Sequence, residues 1–241
     1  MEKYKSNLKF THIVDVDKIL AQKIREIRLQ TRNFSTKEFK MRTYVDSKTN
    51  KMFPSVTTVL QKDSEGLRGW FKFMKERYGG EGASNFEGER TRNRGTRLHK
   101  YLQDTMNNLE IAFQDTLSKG LYKQLYPYLK KIGNIYCVEK ELCSHELKIA
   151  GRVDLIAMYN GKLTVIDFKS SNKDRTKDDW YAPERYTQAW TYAHCLEELT
   201  GIKVPQVVIL VSSEDLTVNE FISTGDEKTQ YIENMKSFIQ D

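Results

Sequence analysis

Asp154, Asp167 and Lys169 are the residues whose types and spacing most invite chemistry. Asp154 lies in AGRVDLIA and Asp167 in VIDFKS, a separation of 167 − 154 = 13 positions. If the two segments are adjacent strands of a hairpin turning at Asn160–Gly161, both carboxylates reach the same end of a sheet. Two carboxylates there repel each other and are costly to desolvate, and a divalent cation relieves both costs. Hard oxygen ligands suit magnesium or manganese. Lys169, two residues past Asp167, shares its strand face and can orient a water or stabilise charge on a phosphate oxygen. Taken alone, D-x-K also describes an ordinary exposed ion pair at a strand end, which is worth little.

Placing those groups requires a sheet. Strands fit residues 134–143, 149–158 and 162–169, after a helix at 114–131. A helix fits 183–199, an apolar and hence central strand 205–212, a short strand 217–222, and an amphipathic helix 226–239. Upstream, residues 16–29 have helical spacing, and MRTYVDSKTNKMF reads as a hairpin around Asp46–Asn50. Two helices fit between Gly66 and Glu110. The first carries Trp70, Phe71, Phe73 and Tyr78, for packing or for stacking on unpaired bases. A break follows at Gly79–Gly80 and Gly82, and the second helix runs through ERTRNRGTRLHKYLQ. The expectation is an α/β core preceded by a helical N-terminal half.

Several residues keep the carboxylates company. His99 sits on that second helix. Glu139 and Glu141 alternate along the strand before Asp154, and Gln188 and Tyr192 stand four apart on one helix face. Each is unremarkable by itself. In order, a histidine helix, VEKEL, GRVD, IDFK and Q-x-x-x-Y resemble the PD-(D/E)XK nuclease superfamily in its RecB-like branch, over about residues 95–212. FPSVTTVL and GKLTVIDFKSS are similar to segments of the mitochondrial genome maintenance exonuclease group and its phage and bacterial relatives.

The resemblance implies a PD-(D/E)XK core, a mixed central sheet flanked by helices. It implies a single nuclease domain over 1–241, with 1–94 a mainly helical part lying over the site and 95–241 the core. The cofactor would be Mg2+ or Mn2+, with His99, Asp154, Asp167 and the backbone carbonyl of Phe168 as ligands. Lys169 would position the attacking water. Gln188 and Tyr192 would line the site, Tyr192 also touching DNA, and Glu139 is the glutamate that would join it. Many relatives carry glutamate four residues after the histidine, where this chain has Gln103. Ser55, Thr57 and Thr58 start a short helix and suit a phosphate, or Ser55 an N-cap. Arg90, Arg94 and Arg97 fall on successive turns leading to His99, either a solvated basic face or phosphate contacts.

Bulk properties narrow the classes. A formal charge of +6 over 241 residues favours an anionic partner without establishing one. Cys137, Cys143 and Cys195 are too few for a disulfide framework or, by themselves, an iron–sulfur cluster. No apolar run approaches the ~18 residues of a membrane span. The N-terminus lacks a signal or transit pattern, which suggests the cytoplasm of a bacterial or phage-infected host. There is no Walker or dinucleotide-binding glycine pattern. The expected activity is metal-dependent exonucleolytic hydrolysis of DNA, preferring a single strand with a free end. The alternatives are a duplex-directed recombination exonuclease or structure-specific endonuclease of the same fold, and a non-catalytic DNA-binding module.

Overall fold

Asn160 and Gly161 both adopt positive φ, +49° and +78°, the backbone that a two-residue type I′ turn requires. They join β7 (Ile149–Tyr159) to β8 (Lys162–Ser171) in the hairpin that brings Asp154 towards Asp167. The computed structural model describes residues 3–12, 18–27, 29–35, 40–62, 72, 76, 81–179 and 181–240. With β6 (Ile132–Ser144), β9 (Gln206–Ser213) and β10 (Val218–Thr224), the hairpin forms a five-stranded sheet in the order β10-β9-β8-β7-β6. Only the β8–β9 contact is parallel. A parallel neighbour demands a crossover, and α5 (Tyr181–Thr200) supplies it. Gly201, at φ +73°, ends that helix, its N–H bonding to the Glu197 carbonyl.

Helices cover both faces of this sheet, which is why β9 is buried along its whole length. On one face, Val207, Ile209 and Val211 pack with Trp190, Ala193 and Leu196 of α5, and with α1 (Lys18–Glu26), α2 (Val56–Lys62) and α6 (Lys228–Gln240). On the other, Val208 and Leu210 meet α3 (Glu81–Met106) and α4 (Thr116–Leu129) through Leu98, Tyr101, Leu121 and Leu125. The short strands β1 (Lys3–Tyr4) and β5 (Ile111–Ala112) pair at the edge of that second cluster. The mixed sheet between helical layers is the expected α/β architecture.

The segment expected to be mainly helical also holds a three-stranded antiparallel sheet of β2 (Leu29–Ser35), β3 (Lys40–Asp46) and β4 (Met52–Pro54). Its β3–β4 turn falls at the expected Asp46–Asn50. The Asp46 carboxylate accepts from Lys48 N–H and the Thr49 hydroxyl, and Asn50 takes φ +56°. Ser55 then bridges to Ala150 of β7, fixing this small sheet beside the end of the large one. Trp70, Phe71, Phe73, Tyr78 and Gly79–Gly80 lie outside the described residues. Gly82 lies within the first turn of α3.

Candidate active site

The site begins where two strands part. The β7–β8 ladder runs from Tyr159–Lys162 to Leu155–Ile166 and stops. Beyond it, Asp167, Phe168 and Lys169 of β8 stay paired with Ile209, Leu210 and Val211 of β9. The Phe168 N–H, released from β7, is taken by the Asp154 carboxylate at 2.8 Å. Side-chain alternation also breaks here. Val153 and Leu155 are two apart on β7, yet they pack into opposite layers of the core. Opposite Asp154 on β6, Glu139 holds φ +51°, a region that costs a non-glycine residue about 1–3 kcal/mol. Strain and broken pairing coincide at the two positions that must turn carboxylates into one cleft.

The cleft has a volume of about 480 Å³, and its walls include His99, Glu139, Asp154, Asp167, Lys169, Gln188 and Tyr192. Helix α3 lays His99 across the parted strands. Its Nδ1 lies 3.4 Å from Asp154 Oδ1 and 3.9 Å from Glu139 Oε1. Ligand atoms of these three residues all lie within 4.8 Å of one another, close enough to hold a metal ion. Asp167 falls outside that triad. Its Oδ2 sits 2.5 Å from Lys169 Nζ, and this buried oxygen meets no donor in hydrogen-bond geometry. An imidazole nitrogen and three carboxylates, one of them buried, form a donor set that fits a divalent cation.

Electrostatics pulls the two aspartates apart. Burial would raise Asp154, but the adjacent His99, Lys169 and the Phe168 N–H reverse this and hold it below the usual carboxylate range. Burial also raises Asp167, and there, with Asp154 adding to it, the rise wins over Lys169. Burial by itself would depress His99; the Asp154 and Glu139 carboxylates instead lift it to about 10. The imidazolium is thus the protein's own cation between the carboxylates. Burial pushes the Tyr192 hydroxyl far up, so it stays a neutral donor or acceptor, and Gln188 Nε2 donates to it at 3.2 Å.

Other sequence candidates are placed differently. Ser55 and Thr57 line the cleft with their hydroxyl oxygens 2.7 Å apart. The three arginines are engaged within the fold. Arg94 is buried, donates to Ser170 and Asn172, and is paired with Glu214. Arg90 is clamped by Glu87 at 2.6 Å and Glu214 at 2.9 Å, and Arg97 reaches Asp115 at 3.1 Å. None of the three lines the cleft, and each has an acidic partner within the fold. Cationic side chains that do line it are Arg42, Lys100, Arg152 and Lys169. Arg152 holds Glu139 Oε2 at 3.0 Å.

Sequence reasoning passed over Gly151 and Arg42. A Cβ on Gly151 would stand 2.6 Å from the Tyr192 ring, so only glycine lets that ring lie against β7. A glycine inside a buried strand is the signal that pointed there. Arg42 and Tyr44 come from the small N-terminal sheet and carry no signal of the cleft they border.

The chain is similar to several known proteins. Over 135 residues the chain is 28% identical to mitochondrial genome maintenance exonuclease 1 of Homo sapiens, covering 52% of this chain and 38% of that one. The Mus musculus protein of the same name is 30% identical over 128 residues, covering 51% and 38%. The chain therefore spans well under half the length of these curated relatives. A crystal structure from Eubacterium rectale, provisionally assigned as an exonuclease, superposes with a TM-score of 0.42 at 8% identity over 60% of this chain and 64% of that one. The family model for the PD-(D/E)XK nuclease superfamily matches residues 67–237. That match takes in α3, the parted strands and α5, the elements that carry His99, Glu139, Asp154, Asp167, Lys169, Gln188 and Tyr192. The chain belongs to the PD-(D/E)XK nuclease superfamily.

Proposed function

We propose that this protein is a Mg2+- or Mn2+-dependent exonuclease acting on single-stranded DNA from a free end, in the cytoplasm of a bacterial or phage-infected host. The observation that carries the reading is the convergence of His99, Glu139 and Asp154 beside the Asp167–Lys169 pair, where β7 and β8 part. Likeness to curated exonucleases supports end-directed cleavage. The whole chain acts as one nuclease domain, residues 1–94 lying over the site and 95–241 forming its core.

In this reading His99, Asp154, Asp167 and the Phe168 carbonyl hold the ion, with Glu139 beside them. When bound, the ion neutralises the carboxylates and stabilises charge on the scissile phosphate and the leaving oxygen. Lys169 Nζ, held against Asp167, orients a water towards phosphorus. The water oxygen forms the new P–O bond, its proton departs to solvent, and the ester oxygen leaves and takes up a proton. Gln188 and Tyr192 form the wall that fixes the strand, and Ser55 and Thr57 offer hydroxyls to a neighbouring phosphate.

The test compares an end-labelled linear single strand, a blunt duplex and a circular single strand, each with magnesium, manganese or EDTA. Loss of the linear strand alone, and only with metal, is the expected result. Cutting of the circle assigns an endonuclease, and preference for the blunt duplex a recombination-type exonuclease. Binding without cleavage under either metal assigns a non-catalytic module.

A further inference from the structure

A second cluster of ligand-type side chains lies at the far end of the β6–β7 hairpin from Asn160–Gly161. Its members are Glu146, in the turn between β6 and β7, with His194 and Glu198 of α5. His194 and Glu198 are four apart and so share a helix face. His194 Nε2 lies 3.4 Å from Glu146 Oε2 and 3.8 Å from Glu198 Oε2. All three ligand atoms fall within 4.8 Å of one another. Yet Nε2 is shielded from solvent and hydrogen-bonds to neither carboxylate. In the tautomer that puts the lone pair on Nε2, that lone pair faces two carboxylate oxygens, an arrangement that a cation between them relieves.

We propose that Glu146, His194 and Glu198 bind a borderline transition-metal cation of the Zn2+ class, with solvent completing the coordination, at a site separate from the nuclease site. An imidazole nitrogen and carboxylate oxygens are both ligands that zinc takes, whereas magnesium favours oxygen alone. Groups that orient Glu198 are already in place. Its Oε2 accepts from the Ser144 hydroxyl at 2.5 Å, and its Oε1 from the backbone N–H of His145 at 2.8 Å. Those bonds orient the carboxylate and leave Oε2 facing His194. Glu146 is the most exposed member, so the turn gives an ion an entry path. Bound there, the cation ties the turn joining the strands of Glu139 and Asp154 to the helix of Gln188 and Tyr192.

The test titrates the full-length protein with Co2+ and Zn2+ alone, following Co2+ absorption and thermal stability. The variants are Glu146→Gln, at the surface and safe for folding, His194→Gln, and His99→Ala to remove the nuclease-site nitrogen. The expected result is one equivalent that survives His99→Ala and raises the melting temperature. Glu146→Gln and His194→Gln should each weaken that equivalent by more than the roughly tenfold an outer-shell partner is worth. Equal Co2+ stoichiometry and affinity in the wild type and Glu146→Gln, or loss of all binding in His99→Ala, overturns it.

Discussion

Arg94 and His99 stand five residues apart on α3, and both face the terminal part of β8, yet their surroundings treat charge in opposite ways. Around Arg94 every charge has an internal answer: Glu214 serves Arg94 and Arg90 together, Glu87 closes the cluster, and Ser170 and Asn172 take the remaining donors. Around His99, three carboxylates crowd into one open cleft and meet their cations only at its walls: His99 beside Asp154, Arg152 on Glu139 and Lys169 against Asp167. His99 is held protonated, Asp154 is driven down, and Asp167 is driven up even with the Lys169 ammonium against it. Fold alone explains the first arrangement. The second is costly without an external cation, and such imbalance marks a site. Substitutions on the two sides of this divide should therefore fail in different assays.

The largest effect expected is at Lys169. In Lys169→Ala the water-orienting amine is lost while the cleft walls stay, so cleavage falls by about 10³-fold, within the range for a positioned acid–base or electrostatic group. Affinity for single-stranded DNA, measured by fluorescence anisotropy in EDTA, should change little. Equal loss of binding and cleavage would assign Lys169 to substrate binding instead.

Next in size is the pH dependence of metal binding. His99 must lose a proton to become a ligand, and its carboxylate neighbours hold that proton up to about pH 10. Mn2+ affinity should therefore rise with pH, by up to about tenfold per unit below that value, with release of about one proton per ion. Calorimetry in buffers of different ionisation enthalpy reads the proton directly. Stability of the metal-free protein runs the other way. A folded value above the unfolded ~6.5 contributes stability in full below pH 6.5, lost as pH climbs to about 10. His99→Ala should flatten both profiles.

On the other side of the divide, Arg94→Ala should cost stability rather than chemistry. It leaves Glu214 without its buried partner. Breaking a fully buried pair costs about 3–5 kcal/mol, and because Glu214 is partly exposed the expected loss is about 2–3 kcal/mol. Urea unfolding measures it. Cleavage per folded molecule should stay within about threefold of wild type, as expected of a residue outside the cleft. A large fall in single-strand affinity at unchanged stability would restore Arg94 as a phosphate contact.

How much of this could be read in the sequence follows the same divide. Period-two and period-3.6 patterns placed β6 to β10 and α4 to α6 within a few residues, because the sheet has two buried faces and short turns with distinctive residues such as Asn160–Gly161. The approach of Asp154 and Asp167, with Lys169 beside it, was legible because the hairpin register fixes where the two aspartates arrive, whereas His99 joined them only through the family resemblance. The fate of the arginines was not. A basic helix face looks the same whether it meets phosphate or acid, and Glu214 lies 120 residues from Arg94. The break in alternation at Asp154 and the left-handed backbone of Glu139 also left no trace, because both arise from strands parting under tertiary packing.

Arg97 gives the mildest and most discriminating test. It is the arginine nearest His99 in sequence, and its side chain is more than a third exposed while it reaches Asp115 at 3.1 Å. Asp115 already has a separate task as N-cap of α4, accepting from Ser118 N–H at 2.7 Å, and that bond survives loss of Arg97. Arg97→Ala should therefore cost less than about 1 kcal/mol of stability, the value of an exposed pair. If Arg97 serves only this pair, the salt dependence of single-strand binding will match that of the wild type. If it leaves Asp115 for a phosphate when DNA arrives, the slope of log affinity against log salt will fall by about 0.7, one counterion's worth on a single strand. The first outcome keeps all three arginines on the structural side of the divide; the second moves the boundary one turn along α3, to within two residues of His99.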